Sequence, residues 1–160
     1  MDQHISQRNL PLLLIKARET IISQFRPILK HFGLTEQQWR VLRVLFEEGT
    51  AEPCYLCECC EILSPSMTGI LKRLGEMGLI SREPLQGDKR RVLISLTAKS
   101  EELSREIIPL VQQQYHLIEQ AWGPELIAKI YADIESLIEL SHVQVKAVQL
   151  PPSRSETKKF

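Results

Sequence analysis

The feature that most constrains this chain is a change of apolar period between residues 63 and 96. In "LSPSMTGILKRLGEMGLI" the residues Met67, Ile70, Leu71, Leu74 and Met77 recur every three or four positions, which predicts a helix with one buried stripe. Ser64 stands where a cap is expected, Pro65 at the first helical position and Gly78 at the stop. Immediately afterwards "LISREPL" and "RVLISL" alternate apolar and polar residues around the charged tip "QGDKR", the pattern of a two-stranded hairpin. A capped helix running straight into a charged hairpin leaves few folds open.

Upstream, "LTEQQWRVLRVLFEEG" predicts a helix that starts with a capping box, Thr35 as N-cap and Gln38 three residues on. Its inner stripe is Trp39, Leu42, Val44, Leu45 and Phe46, and Gly49 ends it. Residues 54–61 make a short helix between these two. The middle of the chain is therefore a helix-turn-helix followed by a β wing. From about residue 8 to 31, apolar positions recur at helical spacing, with Pro27 kinking or interrupting the helix. Thr97 caps a long helix to about 120, bent at Pro109, and Pro124 opens a last helix to about 148. The fold class expected is mainly α with a small β-hairpin wing (α+β). A winged helix-turn-helix lobe spans 34–97, with an N-terminal dimerisation helix within 1–33 and C-terminal dimerisation helices over 98–148. The polar, proline-led tail 149–160 is read as disordered. Residues such as Ile107, Val111, Ile134 and Leu137 give the outer helices more apolar surface than so small a middle covers, and a second copy is the simplest partner.

The net charge of +0 conceals two surfaces. Residues 72–91 carry six basic and three acidic side chains, whereas 101–140 carry two basic and eight acidic. No apolar run reaches the roughly 20 residues of a membrane span, and the polar start lacks the basic region of a signal peptide, so a cytoplasmic location is expected, with no membrane partner. The four histidines are scattered, and no G-x-S-x-G, P-loop or H-E-x-x-H occurs. No enzyme, resident metal or cofactor is expected.

Together "LTEQQWRVLRVL", "SMTGILKRLGEMGLISRE" and above all "GDKRRVLISLT" resemble the MarR family of winged-helix transcription regulators, over about residues 8–148. Within it, "RETIISQFRPILKHFGLTEQQWRVLR" and "ILSPSMTGIL" look most like regulators of aromatic-acid catabolism, of the homoprotocatechuate and hydroxycinnamate type. The resemblance implies a homodimeric repressor that binds double-stranded DNA at a palindromic operator and leaves it when a phenolic acid, or its thioester, binds.

Short polar side chains on a recognition helix reach base edges in the major groove. Ser64, Ser66, Thr68 and Gly69 suit that position, with Lys72 and Arg73 placed for phosphates or a guanine edge. The wing tip carries Asp88, Lys89, Arg90 and Arg91. By resemblance, Arg90 enters the minor groove and Asp88 orients it, since a narrow minor groove attracts arginine. The alternative is that Asp88 only makes the turn and the arginines only solubilise it. For the effector, a phenolic acid needs an apolar slot with one cation. Arg18 is an odd charge among Leu14, Ala17, Ile21 and Ile22 and is the first candidate, with Arg40, Trp39, Phe25 and His31 in the same region. Alternatively, Arg18 pairs with a glutamate across the dimer.

All four cysteines fall in "CYLCECC", residues 54–60. On a helix, Cys54, Cys57 and Cys60 share one broad face and Cys59 points away. One short helix does not close four thiolates around a tetrahedral metal, and the spacing is not that of a zinc finger. The cluster reads as packing behind the recognition helix, with Cys59 the exposed thiol. The competing function is a thiol-redox or metal-sensing protein built on this cluster.

Overall fold

The computed structural model describes residues 9–85 and 87–151, leaving aside the side chain of Lys89. The elements in order are α1 (Leu10–Ile22), α2 (Arg26–His31), α3 (Glu36–Glu48), α4 (Pro53–Cys60), α5 (Ser64–Glu76), β1 (Ile80–Leu85), β2 (Asp88–Leu96), α6 (Ala98–Trp122) and α7 (Pro124–Glu139), followed by a 3-10 turn over Leu140–His142. Two compact units divide at Leu117/Ile118, within α6.

The core of the first unit is built on α3. Its N-terminus is closed by the expected capping box: Thr35 Oγ1 accepts the Gln38 N–H at 3.2 Å, and Gln38 Oε1 accepts the Thr35 N–H at 2.8 Å. With the helix started there, Val41, Leu42 and Leu45 fall on the inner face and are 0–1% exposed. They meet Leu56 of α4 and Met67, Leu71 and Leu74 of α5, together with Ile80 and Ile94 of the hairpin and Ile107 of α6. The hairpin pairs in antiparallel register from Ile80 with Leu96 to Pro84 with Val92, with an irregularity after Pro84. A bridge between Ala51 and Ile94 fastens β2 to the segment before α4. Thr97 caps α6 as expected, exchanging hydrogen bonds with Ser100, and its hydroxyl donates to the Gly78 carbonyl at 2.8 Å.

The ends of α4 and α5 share one chemistry and differ in one residue. After α5, Gly78 adopts φ +69°, so that the Leu79 N–H reaches back to the Leu74 carbonyl at 2.9 Å. After α4 the same reverse turn, Ile62 N–H to Cys57 O at 3.0 Å, is made with Glu61 at φ +48°. A side chain in that region costs roughly 1 kcal/mol or more.

Three boundaries differ from expectation. The N-terminal helix breaks at Ser23–Phe25, and Pro27 lies in the first turn of α2, where its missing N–H costs nothing. Ser64 does not cap α5: Ile62 is buried and Leu63 extended, so Leu63 occupies the cap position and Ser64 already lies inside the helix. The last helix stops at Glu139 rather than near 148, because β-branched Val143, Val145 and Val148 are poor helix formers and none is buried in the chain. Residues 149–151 lack regular structure, and the rest of the tail lies outside the described residues. Cys54 is exposed as well as Cys59, since it sits in the first turn of α4, at the edge of the packed face. Among the described residues no helix is long and apolar enough to cross a membrane.

Candidate functional site

Two surfaces of the first unit collect the candidate residues. The first is the outer face of α5 with the wing. Ser64, Ser66, Thr68, Gly69, Lys72 and Arg73 are all exposed along α5, opposite the buried stripe. No side chain caps its N-terminus, so its first N–H groups are open to an anion such as a phosphate. A Cβ added at Gly69 would meet nothing within 4 Å, so the packing does not demand a glycine there. Lys72 lies 3.9 Å from Glu76, one turn on, a weak exposed pair.

The two wing arginines have different surroundings. Asp88 accepts the backbone N–H of Arg90 at 2.9 Å, which makes the turn and leaves the exposed Arg90 guanidinium without an ion-pair partner among the described residues. Asp88 therefore orients the Arg90 backbone rather than its guanidinium. Arg91 is exposed too, but its guanidinium has a partner. It forms a bidentate pair with Glu52, the residue before α4, with Nε–Oε2 at 2.9 Å. That hydrogen bond holds the Glu52 carboxyl below the usual carboxylate range. The side chain of Lys89 lies outside the described residues.

The second surface is a cavity of about 100 Å³. Its aromatic wall is Phe25, Trp39 and Tyr115, the rings of Phe25 and Tyr115 being 4.6 Å apart and tilted by 51°. Ile22, Leu29 and Val111 complete the apolar lining. The charged wall comes entirely from α3: Glu36, Arg40 and Arg43. Of the expected ligand residues, Phe25, Trp39 and Arg40 line the cavity, whereas Arg18 and His31 do not. Arg18 pairs with Glu36 of its own chain. His31 is exposed, its ring edge-on to Phe32 at 5.0 Å. Arg43 and Tyr115 were missed. Arg43 is legible in retrospect, because it lies four residues from Trp39 on the same helical face. Tyr115 is far away in sequence and carries no such signal.

Glu36 is the hub of this wall. Both Arg18 and Arg40 donate to its Oε1. Burial pushes its carboxyl up, but the two arginine hydrogen bonds outweigh burial and hold it below its ordinary value. Arg40 makes a second bond, from Nη1 to the Cys60 carbonyl at 2.6 Å.

The cysteines do not form a comparable site. Cys60 is buried, and burial pushes its thiol up, away from the reactive thiolate. Cys57 packs against the core, and Cys54 lies 3.8 Å from Glu58. Among the described residues no three metal-capable side chains converge.

The MarR family model matches residues 34–92, from the turn before α3 to the wing. The HTH-type transcriptional regulator FarR of Neisseria gonorrhoeae is 46% identical over 112 residues, covering 70% of this chain and 77% of that protein. The homoprotocatechuate degradative operon repressor of Escherichia coli is 36% identical over 134 residues, covering 84% and 90%. The crystal structure of NadR in complex with 4-hydroxyphenylacetate matches with a TM-score of 0.72 at 39% identity, covering 82% of this chain and 96% of that one.

Proposed function

This chain belongs to the MarR family of transcription regulators, and from that premise we propose that it is a homodimeric repressor released from an inverted-repeat operator by a small phenolic acid or its thioester. The observation that carries the proposal is the pairing of an exposed, polar α5 with the exposed guanidinium of Arg90 on the adjoining wing, which has no ion-pair partner among the described residues. In it, Ser64, Ser66, Thr68 and Gly69 face base edges, Lys72 and Arg73 neutralise phosphates, and Arg90 enters the minor groove. Arg91 serves differently, holding the wing against Glu52.

Dimerisation is supported by α1 and α7, neither of which has a buried residue within the chain. Leu10, Leu13 and Ile15 of α1 are each more than half exposed, as are Leu126 and Ile138 of α7. Helices of this length do not persist on propensity alone and need a partner for their apolar faces. A two-fold dimer sets its recognition helices about one DNA turn apart.

The effector class is supported by the cavity, which joins three aromatic rings to the cations Arg40 and Arg43. Two relatives are described by what they regulate or bind, a homoprotocatechuate degradative operon and 4-hydroxyphenylacetate. At about 100 Å³ the cavity is smaller than an ordinary ligand site of roughly 300 Å³ or more, so binding widens it or adds a wall from the second chain.

Selecting a tight duplex from a random pool and footprinting it tests the DNA reading. The expected footprint is two half-sites in inverted repeat, with centres about 10 bp apart. A single asymmetric site occupied by a monomer contradicts it.

A further inference from the structure

Arg40 holds two partners at once, one in the cavity wall and one at the end of α4. Through Nη2 it holds Glu36 in the cavity wall, and through Nη1 it holds the carbonyl of Cys60 at 2.6 Å. That carbonyl belongs to the last residue of α4, and carbonyls at a helix end have no partner inside the helix. They also carry the negative end of the helix dipole, which an arginine stabilises. Only Glu61, Ile62 and Leu63 separate Cys60 from α5, and Glu61 sits in the left-handed region. The end of α4 is thus a short, conformationally constrained lever beside the DNA-reading helix.

The cavity wall is also electrically poised. Its one carboxylate, Glu36, already receives two arginines, Arg18 from α1 and Arg40 from α3. A second carboxylate arriving there competes with Glu36 for the same guanidinium. A guanidinium is a rigid planar fork, so its two Nη atoms do not turn independently toward new acceptors. Recruiting Nη2 into the cavity therefore drags Nη1 from the Cys60 carbonyl.

We propose that Arg40 is the positioning residue that couples the cavity to the recognition helix, an aromatic carboxylate taking it from Glu36 and so loosening its hold on the end of α4. The inference rests on the effector reading of the cavity given above. It makes Glu36 the built-in competitor of the effector and Arg18 the residue that keeps Glu36 in place when the effector is bound.

The test separates binding from coupling, with 4-hydroxyphenylacetate as the probe. Effector affinity is read by calorimetry on the DNA-free dimer, and coupling as the ratio of operator dissociation constants with and without saturating effector. For the unaltered protein a ratio of at least tenfold is expected, within the usual range of allosteric coupling. Arg40→Lys keeps a cation in the cavity but, having a single ammonium, does not span both partners. It should bind the effector within about tenfold of the unaltered protein while the coupling ratio falls at least fivefold. Glu36→Gln removes the competitor and should bind the effector severalfold more tightly, a gain that simple damage to the fold does not produce. Arg40→Lys that binds the effector and keeps its full coupling overturns the inference and leaves the effector reading standing, as does Glu36→Gln with unchanged or weakened binding. Failure of the unaltered protein to bind any single-ring aromatic carboxylate overturns both.

Discussion

Helices α1 and α3 are both 13 residues long and end up in opposite circumstances. In α3 six residues are buried, its start is closed by a capping box, and α2, α4, α5 and β2 all pack on it. In α1 nothing is buried, although "LPLLLI" is the most apolar stretch of the chain. Apolar content alone does not place a helix in the core; the spacing of apolar residues does. The stripe of α3 fits one face, whereas the leucines of α1 run consecutively and point all round the helix. A helix of the second kind needs walls on more than one side, which a single chain of this size does not supply.

The contrast breaks most severely at Leu42, which is fully buried. Leu42→Ala should lower the unfolding free energy by about 3 kcal/mol at any protein concentration, read from urea denaturation. On α1, Leu13→Glu should instead leave the lobe folded and shift the dimer toward monomer by sedimentation, with a stability that no longer depends on concentration. Equal losses at the two positions, both independent of concentration, would erase the distinction.

A smaller comparison of the same kind lies within the wing, where adjacent arginines differ in their partners. Arg90→Ala should weaken operator binding at least tenfold, about 1.4 kcal/mol, with the dimer intact. Arg91→Ala, which loses only the clamp to Glu52, should cost less than about threefold in a gel-shift titration. If both cost the same, Arg91 also reaches the DNA.

The charged wall of the cavity gives a prediction with pH. Glu36 is held below its ordinary value of 4.5 in the folded protein, so its contribution is fully present above that value and is lost as pH falls through the folded-state value. Glu36→Gln should flatten the acid limb of a stability profile below about pH 4.5 and leave it unchanged near neutrality in slope. Smallest of all, Glu61→Gly should stabilise the fold by about 1 kcal/mol, because a glycine takes the left-handed turn after α4 without strain.

The lobe was readable in the sequence because each of its elements is marked locally. Thr35 and Gln38 announce a start, Gly78 a stop, and alternation a hairpin. Less legible was whatever depends on a neighbour. Pro27 shows that the first helix is interrupted, but the break falls at Ser23–Phe25 because a proline settles in the first turn of the following helix. The helical spacing beyond Glu139 suggested a continuation that nothing in the chain supports. In the candidate sites, exposure along α5 follows from its period, whereas the pairing of Arg91 with Glu52 and of Arg18 with Glu36 spans 39 and 18 residues and leaves no local trace.

The central claim is that a phenolic acid in the cavity of α3 governs the grip of α5 and the wing on DNA. Titrating the dimer onto its selected operator, with and without saturating 4-hydroxyphenylacetate at fixed salt, tests it most directly. The account predicts that the dissociation constant rises at least tenfold with the acid present; an operator affinity unmoved by any single-ring phenolic acid would contradict it.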